Sequence, residues 1–342
     1  MRATMDLEVL WERIFSEDAD QVRLAWQSLD GTERDSVYAL LQQIIVDETR
    51  IDAQRAAAKF ALAHVAPDVS GVVNIPEDAL AFAQQLAHQT GQHLLQTHGQ
   101  LTASLKRDGT LVTESDLESD RQISRAILER YPTHGIMSEE RDKIYRGQEW
   151  CWLIDPIDGT TNFTWGFPAW GVLIALMHWG VPVLGVADFP VIGEQYSAVR
   201  GLGTWLNGMQ LRTTAVSESA EGIELKQTHL FACCTRSLKY GKFDLPMKIR
   251  IPGTTGYDLA LVARGACVGS IDMSVHVWDV AALWPILEEA GGAAMINREQ
   301  SLFPLQQGVD YGEASYSVIT ACSPRVLAHL HTKLSDRFVV SP

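Results

Sequence analysis

Asp155 and Asp158 stand three residues apart in the string Asp155-Pro156-Ile157-Asp158-Gly159-Thr160-Thr161-Asn162-Phe163, directly after the apolar run Cys151–Ile154. Two carboxylates at this spacing, with Pro156 fixing the backbone between them, can converge on neighbouring hard cations, and a carbonyl such as that of Ile157 can complete the ligand set. Gly159 permits a turn that aims successive backbone N–H groups at an anion, while the Thr160 hydroxyl can orient a water. A bare Asp-x-x-Asp-Gly would read as a surface turn, and it is the full string that argues for a site. Glu139-Glu140, after Ile136-Met137-Ser138, and Trp278-Asp279 supply further acids. Alone, the first pair reads as a solvated face and Asp279 as a helix N-cap or first-turn acid. Gathered from distant segments, they form the oxygen set that Mg²⁺ prefers to Cys or His.

The elements that must position these residues follow from periodicity and punctuation. Residues 1 to about 75 read as helices, with Val37, Leu40, Leu41, Ile44 and Ile45 at helical spacing behind a Thr32 N-cap with Asp35 three positions on. A further amphipathic stretch carries Ile51, Ala58, Leu62 and Val65. Nothing in this segment resembles a catalytic group, and a small helical extension for stability or protein contacts accounts for it. The junction falls near Pro67 to Pro76, where Pro, Ser and Gly gather, so the expected division is a 1–75 extension and a 76–342 catalytic domain. Pro76-Glu77-Asp78 opens a helix, Asp108-Gly109 signals a hairpin, and Ser115 with Glu118 predicts a capping box that puts Asp116 in a first helical turn. From Trp150 onward strands dominate, including two across 170–188 joined near His178-Trp179-Gly180, one near 195–200 and a turn at Asn207-Gly208. The last clear helix is expected from Asp279 to Gly291-Gly292, with Pro285 kinking it or costing it a hydrogen bond.

Composition narrows the chemistry. A 342-residue chain with 46% hydrophobic and 20% charged residues is a globular protein with a substantial core. Its net charge of −14 argues against nucleic acid and anionic membrane as partners. Five scattered cysteines, mostly in apolar segments, point to core thiols in a reducing cytoplasm, and no signal peptide is expected. P-loop, GxSxG and HExxH strings are absent, and Gly201-Leu202-Gly203 lacks the third glycine of a dinucleotide loop.

With these residues in hand, the chain resembles the inositol monophosphatase family of metal-dependent phosphatases over roughly Pro76 to Ser335. The resemblance rests on Lys106…Asp108-Gly109…Val112-Thr113…Asp116, on Glu139-Glu140, on the Asp155 string, and on Trp278-Asp279-Val280-Ala281-Ala282 followed by Glu289-Ala290-Gly291-Gly292. It implies an α/β (α+β) layered αβαβα sandwich of the inositol monophosphatase and fructose-1,6-bisphosphatase type, and a homodimer. It further implies that Glu139, Asp155 and the Ile157 carbonyl hold one Mg²⁺ and that Asp155, Asp158 and Asp279 hold a second. Glu139, with Asp116 nearby, would position waters or a third ion. Gly159, Thr160 and Thr161 would receive the phosphate, while Gly253, Thr254, Thr255 and Asp272 would line the pocket for the alcohol, with Asp279 at its edge. Two positions depart from the pattern: Ser138 stands where the family commonly has Gly, and Asp272 where inositol-binding members often have Glu.

The implied reaction is in-line hydrolysis of a small phosphate monoester by a metal-activated water oriented by Thr160 and Glu139. Inositol monophosphate is the first expectation. Leu173–Leu176 and Ala281–Ile286 also resemble members that act on histidinol phosphate, and fructose 1,6-bisphosphate is a third substrate. A haloacid-dehalogenase-type phosphatase would need Asp-x-Asp, which the string lacks. A regulatory binding protein on the same fold, meeting its partner through the N-terminal helices, is the reading from another class.

Overall fold

The computed structural model describes residues 7–334 apart from 17, 30–32, 34–35, 38–39, 42–43, 45–49, 65–74, 101–102, 106–110, 215, 217, 220–221, 241–244 and 297–301. The expected Thr32 cap, the Asp108-Gly109 turn and most of the expected junction lie outside the described residues.

A short antiparallel pair, β1 (Ala103–Leu105) and β2 (Leu111–Thr113), leads into the helix Glu114–Arg130. A seven-stranded sheet then follows in the order β3 (Gly135–Ser138), β4 (Trp150–Asp158), β5 (Gly171–His178), β6 (Val181–Phe189), β7 (Glu194–Val199), β8 (Gly203–Leu206) and β9 (Met209–Gln210). Only β3 and β4 run parallel in it. The unbroken apolar runs of β4 and β5 arise because both faces are covered. Trp152, Ile154, Val172 and Ile174 face the helices Ala79–Leu94 and Glu114–Arg130, while Leu153, Leu173 and Ala175 face a second core. The turn joining β5 to β6 has Trp179 at φ 49° and Gly180 at φ 79°, the left-handed pair that a two-residue hairpin demands.

After a small hairpin of β10 (Glu218–Ser219) and β11 (Gly222–Ile223), a five-stranded sheet is built in the order β13 (Lys248–Arg250), β12 (Leu230–Cys233), β14 (Gly269–Val275), β16 (Tyr316–Ala321), β15 (Ala293–Ile296). The helices Thr255–Ala263, Val277–Ala281 and Leu283–Ala290 fill the space between the two sheets, and Pro324–Leu334 covers the outer face of the second. The layers are therefore helix, sheet, helix, sheet, helix, in agreement with expectation.

Three local expectations need correction. The capping box of Glu114–Arg130 is Thr113 with Asp116, not Ser115 with Glu118, because β2 runs extended to Thr113 (φ −111°, ψ 164°). Asp116 nonetheless falls in the first turn. The strand expected to stop at Ile154 continues to Asp158, pairing Asp155 with Leu173 and Asp158 with Gly171 across an irregularity at Pro156-Ile157, where the missing proline N–H interrupts the ladder. The helix expected from Asp279 is two helices, broken at Ala282 and starting at Val277. Ala282 is where the chain crosses β6, and a Cβ on Gly185 would come within 1.9 Å of the Ala282 carbonyl oxygen. Pro285 sits in the first turn of the second helix, where its missing N–H costs no helical bond.

The N-terminal helices Leu7–Ile14, Ala19–Ser28 and Asp52–His64 close on a core of their own that includes Leu10, Ile14, Val22, Trp26, Val37, Leu41 and Ile44. Trp179, at the tip of the β5–β6 hairpin, packs against it. All five cysteines are free thiols.

Candidate active site

Four elements bring the predicted acids to one end of the seven-stranded sheet. β4 carries Asp155 and Asp158 on its last residues. β3 ends at Ser138, and the Glu139 N–H extends its ladder by donating to the Ile154 carbonyl at 3.2 Å, which sets Glu139 beside Asp155. The Val277–Ala281 helix packs on β4 and holds Asp279 in its first turn, where its carboxylate accepts the His276 N–H at 2.8 Å. Asp116 enters from the N-terminus of Glu114–Arg130.

Electrostatics show how close these acids are. Asp155 and Asp158 are 2% and 5% exposed. Loss of water pushes Asp155 well above the usual carboxylate range, and the charges of Glu139, Asp158 and Asp279 push it the same way. Burial raises Asp158 to about 7, with donors from Thr254 and Gly256 working against it. Asp279 is raised by burial and then by Asp158 and Glu139. Mutually repelling carboxylates at a strand end are an oxygen-rich donor set, and they fit a hard divalent cation. Glu139, Asp155, the Ile157 carbonyl, Asp158 and Asp279 are the groups that would hold it. Among the described residues no three His, Cys, Asp or Glu side chains close into a finished ligand cage.

The hydroxyl next to this cluster is tightly managed. Asp116 is fully buried, with one oxygen accepting the Thr113 N–H at 2.7 Å and the Thr113 hydroxyl at 2.6 Å. Thr160 Oγ1 lies 3.2 Å from both the other Asp116 oxygen and the Ile157 carbonyl. Its single hydrogen serves one acceptor at a time, so the hydroxyl can swing between the two. Gly159 adopts φ 90° as the N-cap of the short helix Thr160–Thr164, leaving the first-turn N–H groups without helical partners, and the Thr161 side is exposed.

The second sheet's side closes the site. Asn162 donates to the Ala169 carbonyl at 2.6 Å and to the Pro252 carbonyl at 2.9 Å, tying the Asp155 string to the loop at Gly253, which has φ 89°. Thr254 caps Thr255–Ala263, and its hydroxyl donates to Asp158, as does the Gly256 N–H at 2.9 Å. Thr254 therefore fixes a carboxylate rather than presenting its hydroxyl to an alcohol. Gly253 is exposed and Thr255 half-buried at the rim. Asp272, expected against the alcohol, is fully buried beside Asp258, and among the described residues no N–H or hydroxyl group donates to their four oxygens. Burial raises Asp272 to about 7, held from going higher by the Asp258 carboxyl and the Cys234 thiol. Asp258 is raised well above its usual range by burial and then by Asp272. One proton shared between the two carboxyls satisfies such a pair.

Sequence reasoning missed Asn162, Gly256, Asp258 and Thr113 as parts of this arrangement. Asn162 and Thr113 stood inside the motifs that carry the resemblance, so position in the string was the available signal. Asp258 and Gly256 carried none.

A profile of the inositol monophosphatase family matches residues 76–335. The chain is 33% identical to a histidinol-phosphatase of Chlorobaculum parvum, over 75% of this chain and 98% of that protein. It is 34% identical to a fructose-1,6-bisphosphatase/inositol-1-monophosphatase of Thermotoga maritima, over 63% of this chain and 83% of that one. The solved extragenic suppressor protein suhB of Bartonella henselae superposes with a TM-score of 0.63 at 25% identity, covering 75% of this chain and 98% of its own. With the carboxylate cluster, the Asp116–Thr160 contact and the layered architecture already in place, these likenesses converge: the chain belongs to the inositol monophosphatase family.

Proposed function

We propose that the chain is a Mg²⁺-dependent phosphatase that hydrolyses the phosphate monoester of a small alcohol by in-line attack of water. The observation that carries this reading is the meeting of Glu139, Asp155, Asp158 and Asp279, where burial first, and then the charges of the neighbouring acids, raise Asp155 and Asp279 well above their usual range. Bound divalent ions supply charge neutralisation and acidify water. The chain's own groups do the rest. Asp116 holds the Thr160 hydroxyl in place to orient the attacking water and take up its hydrogen bond. The N–H groups after Gly159 receive phosphate oxygens at the start of a helix. Asn162 keeps the Gly253 loop against this cradle, so the alcohol leaves toward the Gly253–Thr255 rim.

Inositol monophosphate is what the sequence favours first. The buried pairing of Asp272 with Asp258 removes from the pocket wall the acceptor that the resemblance assigns to a sugar hydroxyl. That placement, together with the likeness to the Chlorobaculum parvum histidinol-phosphatase, favours histidinol phosphate as the substrate. Phosphate release from histidinol phosphate, inositol 1-phosphate and fructose 1,6-bisphosphate, each with Mg²⁺ and with chelator, tests the reading. Mg²⁺-dependent turnover with the highest kcat/KM on histidinol phosphate is expected. Turnover unchanged by chelator overturns the mechanism, and a preference for inositol 1-phosphate overturns the substrate. Absence of turnover on the whole panel leaves the regulatory reading, for which the N-terminal helices are the partner surface.

A further inference from the structure

One turn beyond Asp116 on the same helix lies Asp120, and i, i+4 residues share a helix face. Its side chain is only 1% exposed. One carboxylate oxygen accepts the Ser138 hydroxyl and the other meets Arg141 Nε at 3.3 Å. Ser138 Oγ in turn accepts the Glu140 N–H at 3.3 Å. The same residue is fastened through its backbone: its N–H donates to the Asp142 carbonyl at 3.0 Å, and its carbonyl accepts the Arg141 N–H at 3.4 Å. The turn from 138 to 142 is thus closed on itself and clamped to Asp120 from both ends. Between the clamped residues sits Glu139, whose own N–H is spent on Ile154.

From this geometry we infer that Asp120 is a positioning residue, which acts through Ser138 and Arg141 to hold Glu139 against Asp155. A buried carboxylate is expensive, and on a helix that also buries Ile123 and Ile127 an apolar side chain would fill the space at less cost. What the acid adds is a fixed link. One rigid helical turn holds the Thr160 hydroxyl through Asp116 and the Glu139 turn through Asp120, so both halves of the site share a register. Ser138 supplies the hydroxyl through which the clamp reaches the turn.

The inference rests on the metal-dependent reading above, and its test is chosen to separate the two. Mn²⁺ binding to the full chain is titrated by electron paramagnetic resonance of the free ion, alongside turnover and thermal midpoint. Asp120→Ala is expected to weaken Mn²⁺ binding on the order of 10-fold or more, as loss of a group that orients a metal ligand does. Turnover at saturating metal stays within about threefold. Ser138→Ala moves binding the same way by less, and Asp120→Asn, which can still accept the Ser138 hydroxyl, retains most of the affinity. If Asp120→Ala fails to fold, the Ser138→Ala titration decides. Wild-type Mn²⁺ binding with unchanged affinity in Asp120→Ala or Ser138→Ala overturns this inference alone, even if the thermal midpoint falls. No Mn²⁺ binding by the wild type overturns it together with the proposed function.

Discussion

Asp120 and Asp155 are both buried acids on the flanks of the same turn, yet they are treated in opposite ways. Asp120 has a hydroxyl on one oxygen and a guanidinium on the other. Asp155 accepts a backbone N–H from Ile157 at 3.1 Å, and among the described residues the charges that act on it are those of Glu139, Asp158 and Asp279. Burial raises both, but the charges beside Asp120 pull it back down while those beside Asp155 add to the rise. Among the described residues the fold thus surrounds one acid with partners that favour its charge and the other with groups that oppose it.

The strongest way to break this contrast is Asp155→Asn. Turnover is expected to fall on the order of 10³-fold, while the thermal midpoint of the metal-free protein rises, because one repelling charge has gone. A lower midpoint in the metal-free state would mean that Asp155 is already balanced by something in the chain. Asp158→Asn shares the loss of activity with an intact fold, visible as an unchanged circular dichroism spectrum.

Next in size is Gly256→Ala. A Cβ there would stand 2.4 Å from Asp158 Oδ2, so the carboxylate must move off its Thr254 and Gly256 donors. A displacement of that order costs about 10²-fold in kcat/KM. Activity equal to wild type would show that Asp158 does not need this seat.

The pH dependence of the metal-free protein sharpens the comparison without mutation. Asp158 and Asp272 both stand near 7 in the folded chain against an ordinary value of 3.8. A raised folded value means that the folded state binds more protons between those limits, so its stabilising contribution is complete below pH ~4 and is lost as pH rises through ~7. Thermal midpoints recorded from pH 4 to 8 are expected to decline, and Mg²⁺ is expected to reduce the decline by occupying the cluster that contains Asp158. A midpoint that climbs over this range contradicts the assignment.

The smallest expected effect is that of Asp272→Asn. An amide can donate to Asp258 without a shared proton, which should raise stability above pH 7 by about 1 kcal/mol. If the midpoint instead falls, the two carboxyls are not paired as described.

How much of this could be read in advance depended on whether the signal was local. The Asp155 string announced itself, because proline, glycine and hydroxyl residues at fixed offsets constrain a backbone wherever they occur. The hairpin at Trp179-Gly180 was equally legible. The capping box was placed two residues late because Thr113-x-x-Asp116 and Ser115-x-x-Glu118 both satisfy the pattern, and only the end of β2 decides between them. The break at Ala282 depends on how closely it crosses Gly185, nearly a hundred positions earlier in the chain. Asp120, Asp258 and the burial of Asp272 were invisible for the same reason: each is defined by a partner on another element. The roles of Lys106, Asp108 and Gly109 fall on residues outside those described.

Trp179 carries a consequence of its own. On β5 the site end is Gly171, opposite Asp158, and the tip that meets the N-terminal helical core is eight residues farther along. At the rise of an extended chain that separation is roughly 26 Å. The appendage is therefore moored to the far pole of the sheet, where Trp179→Ala would loosen the mooring without touching a single group that handles phosphate. A movement of the helices felt at Trp179 would travel to the acids lengthwise, through two buried strands.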